Sequence, residues 1–329
     1  AVLRDQVLAL LKAGDAPCSG EGMSRTLGVS RAAVWKAVEA LRQEGYVISS
    51  APHRGYRLED SPDLLSPGEL AGALAGRTVG AALLCLDTVD STNNELKRRA
   101  DTAPDGLAVL AQEQTGGRGR LGRSFVSPAG KGLYLSVLLR PQCVLADAGM
   151  LTAWTAVAVC RALERCCGVR AGIKWPNDIV LEGRKLCGIL TELELEAETA
   201  ALRHVIVGVG INVSQDAADF GPEVAPVAIS LAQALGQAPR RSQLAAEVLS
   251  ALDDLYRAFP AQKADYLARY RALCVTAGRA VRVLRPGQVR TGTAEAVNED
   301  FALLVRWDNG EQEALSSGEV SVRGLLGYE

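Results

Sequence analysis

The sequence predicts an α+β protein in three successive parts. Three observations carry that expectation. The first 60 or so residues hold three helix-type apolar periodicities and then two short strand-like runs. The middle of the chain mixes strongly apolar strand-like runs with helical stretches. The last part is a series of short strands separated by turn signals. The boundaries fall at about 1–62, 63–276 and 277–329. A length of 329 residues suits two or three domains, and a hydrophobic content of 48% suffices for ordered cores.

In the first part, Leu3, Val7, Leu10 and Leu11 fall on one helical face. Cys18–Leu27 reads as a short second helix, and Gly28 suits a tight turn after it. Ser30 is a good N-cap for a third helix. There Val34, Ala37, Val38 and Leu41 form the buried stripe, with Ala32, Lys36, Glu39 and Gln43 opposite. Trp35, at the edge of the stripe, reads as a packing residue. Strands at Tyr46–Ser50 and Gly55–Leu58 are joined by Ala51-Pro52-His53-Arg54. Three helices and a hairpin make the winged helix-turn-helix pattern. The chain's net charge of −2 excludes global attraction to nucleic acid, so any DNA contact must be a local patch. Residues 1–58 supply one, with eight Lys/Arg against five Asp/Glu. On this reading Arg31, Ala32 and Lys36 face the major groove and Arg54 sits on the wing. A small helical docking module with solvated charges is the alternative.

The second part opens at Ser66-Pro67-Gly68-Glu69, a capping box with proline at the first helical position. A strand at Ala81–Leu86 leads into Asp87–Glu95, where Ser91 and Thr92 mark the change from strand to helix. Their hydroxyls either cap that helix or bond a ligand, and spacing favours capping. Residues 115–123 hold four glycines and three arginines in nine positions. Such a loop brings backbone N–H groups and planar cationic forks to an anion. Apolar runs at Leu107–Ala111 and Leu133–Leu139 anchor it, unlike a disordered Arg-Gly tail. It also lacks the Gly-Lys-Ser/Thr ending of a P-loop.

Lys174-Trp-Pro-Asn-Asp178, a turn at Glu182-Gly-Arg184, and Lys185-Leu-Cys-Gly188 read as a hairpin. Lys185 is either a solvated strand-edge charge or functional, and Gly188 marks either a bulge or a close ligand. In His204–Val213 the alternate glycines Gly208 and Gly210 bare one face of a strand, as a flat ligand would require. Ala148–Cys160 is too short to span a bilayer. The N-terminus has no signal-peptide pattern. The eight cysteines lack a Cys-x-x-Cys pair and there are only two histidines, which argues against zinc. They read as buried thiols of a reducing compartment, so a cytoplasmic protein with no membrane partner is expected.

Four motifs stand in the order found in biotin protein ligases. They are Asp90-Ser-Thr-Asn93, Gly117-Arg-Gly-Arg-Leu-Gly-Arg123, Lys174–Asp178 with Lys185-Leu-Cys-Gly-Ile-Leu190, and Gly208-Val-Gly-Ile-Asn212. Thr26–Ala33 and Arg54-Gly-Tyr56 resemble the DNA-binding domain of members that are both ligase and biotin-operon repressor. The strands Ala280–Leu284, Thr291–Ala296 and Phe301–Trp307, with Gly318–Arg323, resemble the SH3-like β-barrel that closes these enzymes. The resemblance covers nearly the whole chain and implies a central mixed-sheet catalytic domain.

It also implies the chemistry. ATP and biotin form biotinyl-5′-AMP, and the ε-amine of a lysine on a carboxyl carrier domain then attacks it. The resemblance places Ser91, Thr92 and Gln114 on the biotin head group, with Gly117 and Gly188 lining the slot. It places Arg118 and Arg120 on the biotin carboxylate and phosphate side, and Arg123 on the α-phosphate. Lys185 bridges the carboxylate and the α-phosphate. Asn177, Asn212 and Arg323 sit on the nucleotide side. Asp178 orients the acceptor lysine or assists Mg²⁺, the expected metal. Phe125 stands where relatives often have a tryptophan that stacks near adenine, and Val213–Ala228 where they have a loop over adenine. His53 and Arg54 stand where some carry lysine. Operator DNA and a ligand-promoted homodimer are the remaining partners implied. Two other readings stay open: a biotin-sensing transcription factor without ligase activity, and a lipoate-type ligase.

Overall fold

A computed structural model describes residues 2–14, 16–51, 54–285, 288–323 and 325. The N-terminal unit is α1 (Leu3–Lys12), α2 (Gly20–Leu27), α3 (Arg31–Gln43), β1 (Val47–Ala51) and β2 (Gly55–Asp60). Local signals set its helices. The Ser19 and Ser30 hydroxyls accept from Gly22 N and Ala33 N, and Gly28 ends α2 at φ 66°. Val34, Ala37, Val38 and Leu41 bury against Val7, Leu8 and Leu11 in a core of their own. The wing is pinned by paired backbone bonds of 2.8 Å between Cys18 and Tyr56. A Cβ on Gly55, at φ 90°, would overlap the Cys18 carbonyl, so only glycine lets the wing approach α2. His53 lies outside the described residues. Trp35 corrects its expectation: it is 53% exposed and does not belong to the core.

The central unit follows as α4 (Pro67–Leu70), β3 (Leu83–Val89), α5 (Thr92–Arg99), β4 (Ala108–Gln114), β5 (Gly132–Leu139), α6 (Leu145–Ala148) and α7 (Leu151–Cys167). Next come β6 (Gly172–Lys174), β7 (Asp178–Leu181), β8 (Arg184–Leu195), β9 (Leu202–Asn212), α8 (Ala217–Phe220), α9 (Leu231–Leu235), α10 (Arg241–Ala258) and α11 (Lys263–Leu273). Its seven strands run in the order β3-β4-β5-β9-β8-β7-β6. Only β3 and β4 are parallel, so the sheet is mixed as expected. The odd-numbered residues of β9, Val205 to Ile211, join the main core with α7 and α10. The opposite face carries α5 over Val109, Leu138 and Ile206. Among the described residues no helix is long and apolar enough to cross a membrane.

The last strands, β10 (Ala280–Arg285), β11 (Gln288–Val297), β12 (Leu303–Trp307), β13 (Gln312–Leu315) and β14 (Glu319–Val322), form one antiparallel sheet. Its order is β13-β12-β11-β10-β14, so the expected closed barrel is corrected to an open sheet among the described residues. The four-residue β13 and β14 attach to opposite edges, and Leu315, Val320 and Val322 all belong to the shared core. That core is continuous with the central unit. Trp175 is fixed through its N–H to Thr276 Oγ1 and through Nε1 to the Phe301 carbonyl, each at 2.9 Å.

The expected capping box at Ser66 forms only by half. Ser66 Oγ accepts from Glu69 N at 3.2 Å, but the Glu69 carboxylate pairs with Lys12 of α1 at 2.6 Å. That pair joins the N-terminal and central units. A second tie is Arg241, buried at the start of α10. Its Nε donates to Asp63 Oδ2 at 2.9 Å, Nη2 to the Asp63 carbonyl at 2.8 Å, and Nη1 to the Gly132 carbonyl at 3.4 Å. Gly132 pairs with Asn212 across β5 and β9, so the linker is bonded to the strand ends beside the cleft. Arg241→Ala is expected to cost about 2 kcal/mol, reduced from the fully buried case because Asp63 is partly exposed. Urea unfolding checks this, and an unchanged midpoint would remove Arg241 as the tie.

Candidate active site

One pleated face of the sheet builds the site. Register aligns Tyr134, Gly210 and Gly188 in one row and Ser136, Gly208 and Leu190 in the next. Asp178 continues the first row beyond Gly188. The β4–β5 connection folds across this face as a small hairpin. Gly116 N donates to Asp90 O at 2.8 Å, Phe125 N to Gly117 O at 2.9 Å, and Gly119 N to Arg123 O at 2.7 Å. The cationic loop is therefore ordered and anchored, as its flanking strands predicted. A Cβ at Gly117 would overlap the Phe125 carbonyl and lie 2.7 Å from Ser127 Oγ, so glycine is required for that crossing.

The closed end of the cleft is a polar network under α5. Gln114 Oε1 accepts from Thr92 N at 2.9 Å and Thr92 Oγ1 at 3.2 Å, while Gln114 Nε2 donates to Ser127 Oγ at 2.9 Å. Ser136 Oγ lies 2.6 Å from both Thr92 Oγ1 and Asn93 Oδ1. Asn93 Nδ2 donates to Glu192 Oε2 at 2.8 Å. Ser91 is buried beside them at the N-cap position, yet its side chain makes no capping bond. The capping expectation is corrected: Asp90 ties the strand to the helix instead. It accepts from Asn94 Nδ2 at 2.9 Å and from Arg98 at 2.7 and 3.1 Å. The Arg98 hydrogen bonds, foremost, hold the Asp90 carboxyl well below the usual carboxylate range.

The open end is cationic. Lys185 Nζ lies 2.8 Å from Asp178 Oδ1. Arg118 Nη1 donates to Asn94 Oδ1 at 2.9 Å and lies 3.6 Å from Glu192. Burial works to raise the Glu192 carboxyl. Hydrogen bonds from Lys97 and Asn93, with the charges of Lys97 and Arg118, outweigh burial and hold it below its ordinary range. Arg120 Nη1 donates to Asn177 Oδ1 at 3.2 Å and to the Gly318 carbonyl at 3.3 Å. Arg123 and Lys174 line an adjoining cavity with Arg120, Asp178, Gly318 and Val320. Among the described residues no cluster of three or more acidic, histidine or cysteine side chains could hold a metal.

The sequence-derived residues converge in these two cavities with three exceptions, Gly117, Asn212 and Arg323. Ser91, Thr92, Gln114, Arg118, Arg120, Phe125, Asn177, Lys185 and Gly188 line the first cleft. Arg123 and Asp178 line the second, and Gly117 shapes the hairpin over both. Asn212 lines neither. Its buried Nδ2 donates to the Lys185 carbonyl at 3.3 Å and the Ile229 carbonyl at 3.1 Å, which fixes the Lys185 backbone. Arg323 is exposed and also lines neither; the last sheet reaches the site through Gly318 and Val320. The bare face at Gly208 and Gly210 is occupied by protein. A Cβ on Gly208 would overlap Asn93 Oδ1, and one on Gly210 would lie 2.7 Å from the Phe125 ring. Within the stretch Val213–Ala228, Phe220 is buried in α8. The chain beyond it runs beside Lys185, whose N–H donates to the Val227 carbonyl at 2.8 Å.

Asn93, Ser136 and Glu192 were missed as site residues. Ser136 had a readable signal, being the one polar side chain besides Tyr134 in the run Leu133–Leu139. Asn93 stood inside a quoted motif. Glu192 had none, since its role depends on strand register.

Comparison with known proteins places this arrangement. Residues 84–212 match the Biotin/lipoate A/B protein ligase family, residues 4–57 an HTH domain, and residues 276–323 the Biotin protein ligase C terminal domain. The chain is 40% identical over 323 residues to the bifunctional ligase/repressor BirA of Bacillus subtilis, covering 95% of this chain and 97% of that protein. It is 32% identical to the Escherichia coli bifunctional ligase/repressor BirA, with 97% and 96% covered.

This chain belongs to the biotin protein ligases.

Its relatives by full-length alignment are the bifunctional ligase/repressors of that family. The Aquifex aeolicus biotin protein ligase, solved in complex with biotin and ATP, superposes with a TM-score of 0.62 at 30% identity. The match covers 74% of this chain and 99% of that one.

Because Asn93 is held on three sides, Gly208→Ala is expected to destabilise the protein by about 1–3 kcal/mol. Asn93→Ala should make that cost strongly sub-additive in a double-mutant cycle. Additive unfolding free energies would show that Gly208 and Asn93 do not share this constraint.

Proposed function

We infer that this protein is an ATP-dependent biotin–protein ligase that acts through biotinyl-5′-AMP, and a biotin-responsive repressor of transcription. One observation carries the enzymatic reading. A closed polar pocket and an open cationic mouth share a single sheet face, as a ligand with a polar head and an anionic tail requires. Ser91, Thr92, Gln114 and Asn93 supply donors and acceptors to the ureido head of biotin. The slot between Gly117 and Gly188 takes its body. The carboxylate then emerges among Arg118, Arg120 and Lys185.

A carboxylate oxygen attacks the α-phosphorus of ATP, and pyrophosphate leaves. Both reactants are anions, so the reaction needs positioning and charge neutralisation rather than a protein nucleophile. Lys185 bridges carboxylate and α-phosphate, leaving Asp178 as it does so. Arg123 contacts the α-phosphate, and Arg118 and Arg120 fold over the product. Asn177 and Phe125 border the nucleotide side, and Asn212 serves it indirectly through the Lys185 backbone. Arg323 reaches the nucleotide only if the last turn moves toward Gly318. In the second step the ε-amine of the acceptor lysine attacks the acyl carbon, and AMP leaves. Asp178, freed of Lys185, is assigned to orienting that amine or to assisting Mg²⁺. Mg²⁺ would enter with the triphosphate as its counter-ion. Cytoplasmic residence belongs to the same proposal, because ATP and carboxyl carrier domains are its substrates.

For the repressor role, Arg31, Ala32 and Lys36 stand exposed on α3 and Arg54 at the wing. They are assigned to operator DNA. The adenylate acts as corepressor and promotes a homodimer across a two-fold operator. Sizing by sedimentation with and without biotin plus ATP tests this: a monomer in both states removes the coupling and leaves ligation intact.

The enzymatic reading is tested by transfer of labelled biotin to a purified carboxyl carrier domain with ATP and Mg²⁺. ATP-dependent labelling of one lysine is expected. Tight biotin binding without transfer would recast the protein as a biotin sensor, and a preference for lipoate would recast it as a lipoate-type ligase. Lys185→Ala should slow single-turnover pyrophosphate release at least tenfold, about 1.4 kcal/mol of barrier or more, with a smaller effect on biotin affinity. An unchanged rate would remove Lys185 from its role.

A further inference from the structure

Of four tryptophans in the chain, three are buried at 0–3% exposure and Trp35 is 53% exposed. Leaving so large an apolar ring in water forgoes the burial energy that such side chains ordinarily supply. Its position is specific. At helical spacing Arg31, Trp35 and Arg42 fall on the flank of α3 turned toward the wing, beside the outward crest of Ala32, Lys36 and Glu39. Trp35 lines a depression together with Arg31, Ala32, Ser50, Ala51 and Gly55. Among the described residues the indole has no ring partner and its Nε1 no hydrogen bond.

The charges around the ring select its occupant. The acidic groups nearby each have a cation beside them: Arg42 lies 2.6 Å from Glu39, and Arg25 lies 3.5 Å from Glu21, which also lines the depression. Arg31 and Lys36 have no ion-pair partner among the described residues. The surface thus offers an apolar plate between unspent cations. That suits a polyanion with apolar edges inside, which describes a DNA major groove with its thymine methyl groups. An apolar partner, or a second copy of this face, would leave those cations uncompensated.

We propose that Trp35 is a sequence-reading residue: its indole packs on the thymine methyl edge of a base pair in the major groove, while Arg31 and Lys36 hold phosphates. This rests on the repressor reading above and adds to it an apolar contact that specifies bases rather than strengthening attachment in general.

The test uses the full-length protein with biotin and ATP, and a duplex that it selects from a random-sequence pool, against a scrambled duplex. Trp35→Ala should weaken the selected duplex by about fivefold or more, the scale of one lost base contact, and the scrambled duplex by less than about twofold. The salt dependence of binding should not change, whereas Lys36→Ala should lower its slope by about one phosphate contact. Uracil in place of thymine, which deletes only the methyl group, should weaken the wild type at one position of each half-site and leave Trp35→Ala unaffected. Trp35 dominates acrylamide quenching of the free protein because the other tryptophans are buried, so selected DNA should suppress that quenching. Ligase activity of the variant reports that it is folded. Equal weakening of both duplexes by Trp35→Ala, or no uracil effect at any position, overturns the assignment of Trp35 and leaves DNA binding standing. A wild type that enriches no sequence overturns the repressor reading, and this inference with it.

Discussion

Two negative charges must be brought into contact before this enzyme can form its intermediate, and the catalytic half of the structure is arranged around that repulsion. Two unit charges 4 Å apart repel by about 4 kcal/mol at an effective dielectric constant of about 20. Lys185, Arg118, Arg120 and Arg123 line the adjoining cavities in which the proposed reaction brings the two anions together. Lys185 is bonded to Asp178, Arg118 to Asn94 beside Glu192, and Arg120 to Asn177 and the Gly318 carbonyl. These partners keep the cations from repelling one another when no anion is bound. Ligand anions then replace acceptors that already define the side chains' positions, which lowers the cost of organising the site.

The cationic mouth functions only if the other end of the cleft fixes the ligand. Strand register does that. Alignment of Gly188 with Gly210, and of Gly208 with Ser136, lowers one patch of the sheet. Asn93 enters over Gly208, and the Phe125 ring over Gly210. The same strands reach the N-terminal unit through Gly132, Arg241 and Asp63. The strand ends beside the cleft are therefore joined to the linker that follows the N-terminal unit by the hydrogen bonds of Arg241.

Local features were legible in the sequence. Ser30 caps α3, Gly28 ends α2, and the stripe from Val34 to Leu41 is the buried face, because each depends on neighbours within one helical turn. The cationic loop was legible because strands bracket it. What depended on distant partners was not. The Glu69 carboxylate went to Lys12 instead of closing a capping box, and Ser91 ceded its expected task to Asp90 and Arg98. Gly208 and Gly210 read correctly as a bare face, but sequence had no means of showing that Asn93 and Phe125 fill it. Arg323 and Asn212 came from motif position alone, and the geometry sets both outside the cavities. Trp35 was misjudged because one helical step separates the edge of a buried stripe from an exposed flank.

The central claim is that the cationic mouth recognises the charge of the biotin carboxylate, with Lys185 as one contributor beside Arg118 and Arg120. Calorimetric titration with biotin and with uncharged biotinamide measures this directly. Wild-type protein should bind biotin at least about tenfold more tightly, as expected of a charge-assisted contact, and Lys185→Ala should narrow that gap by a smaller factor than it slows pyrophosphate release. Equal affinities for the two ligands in the wild type would contradict the account.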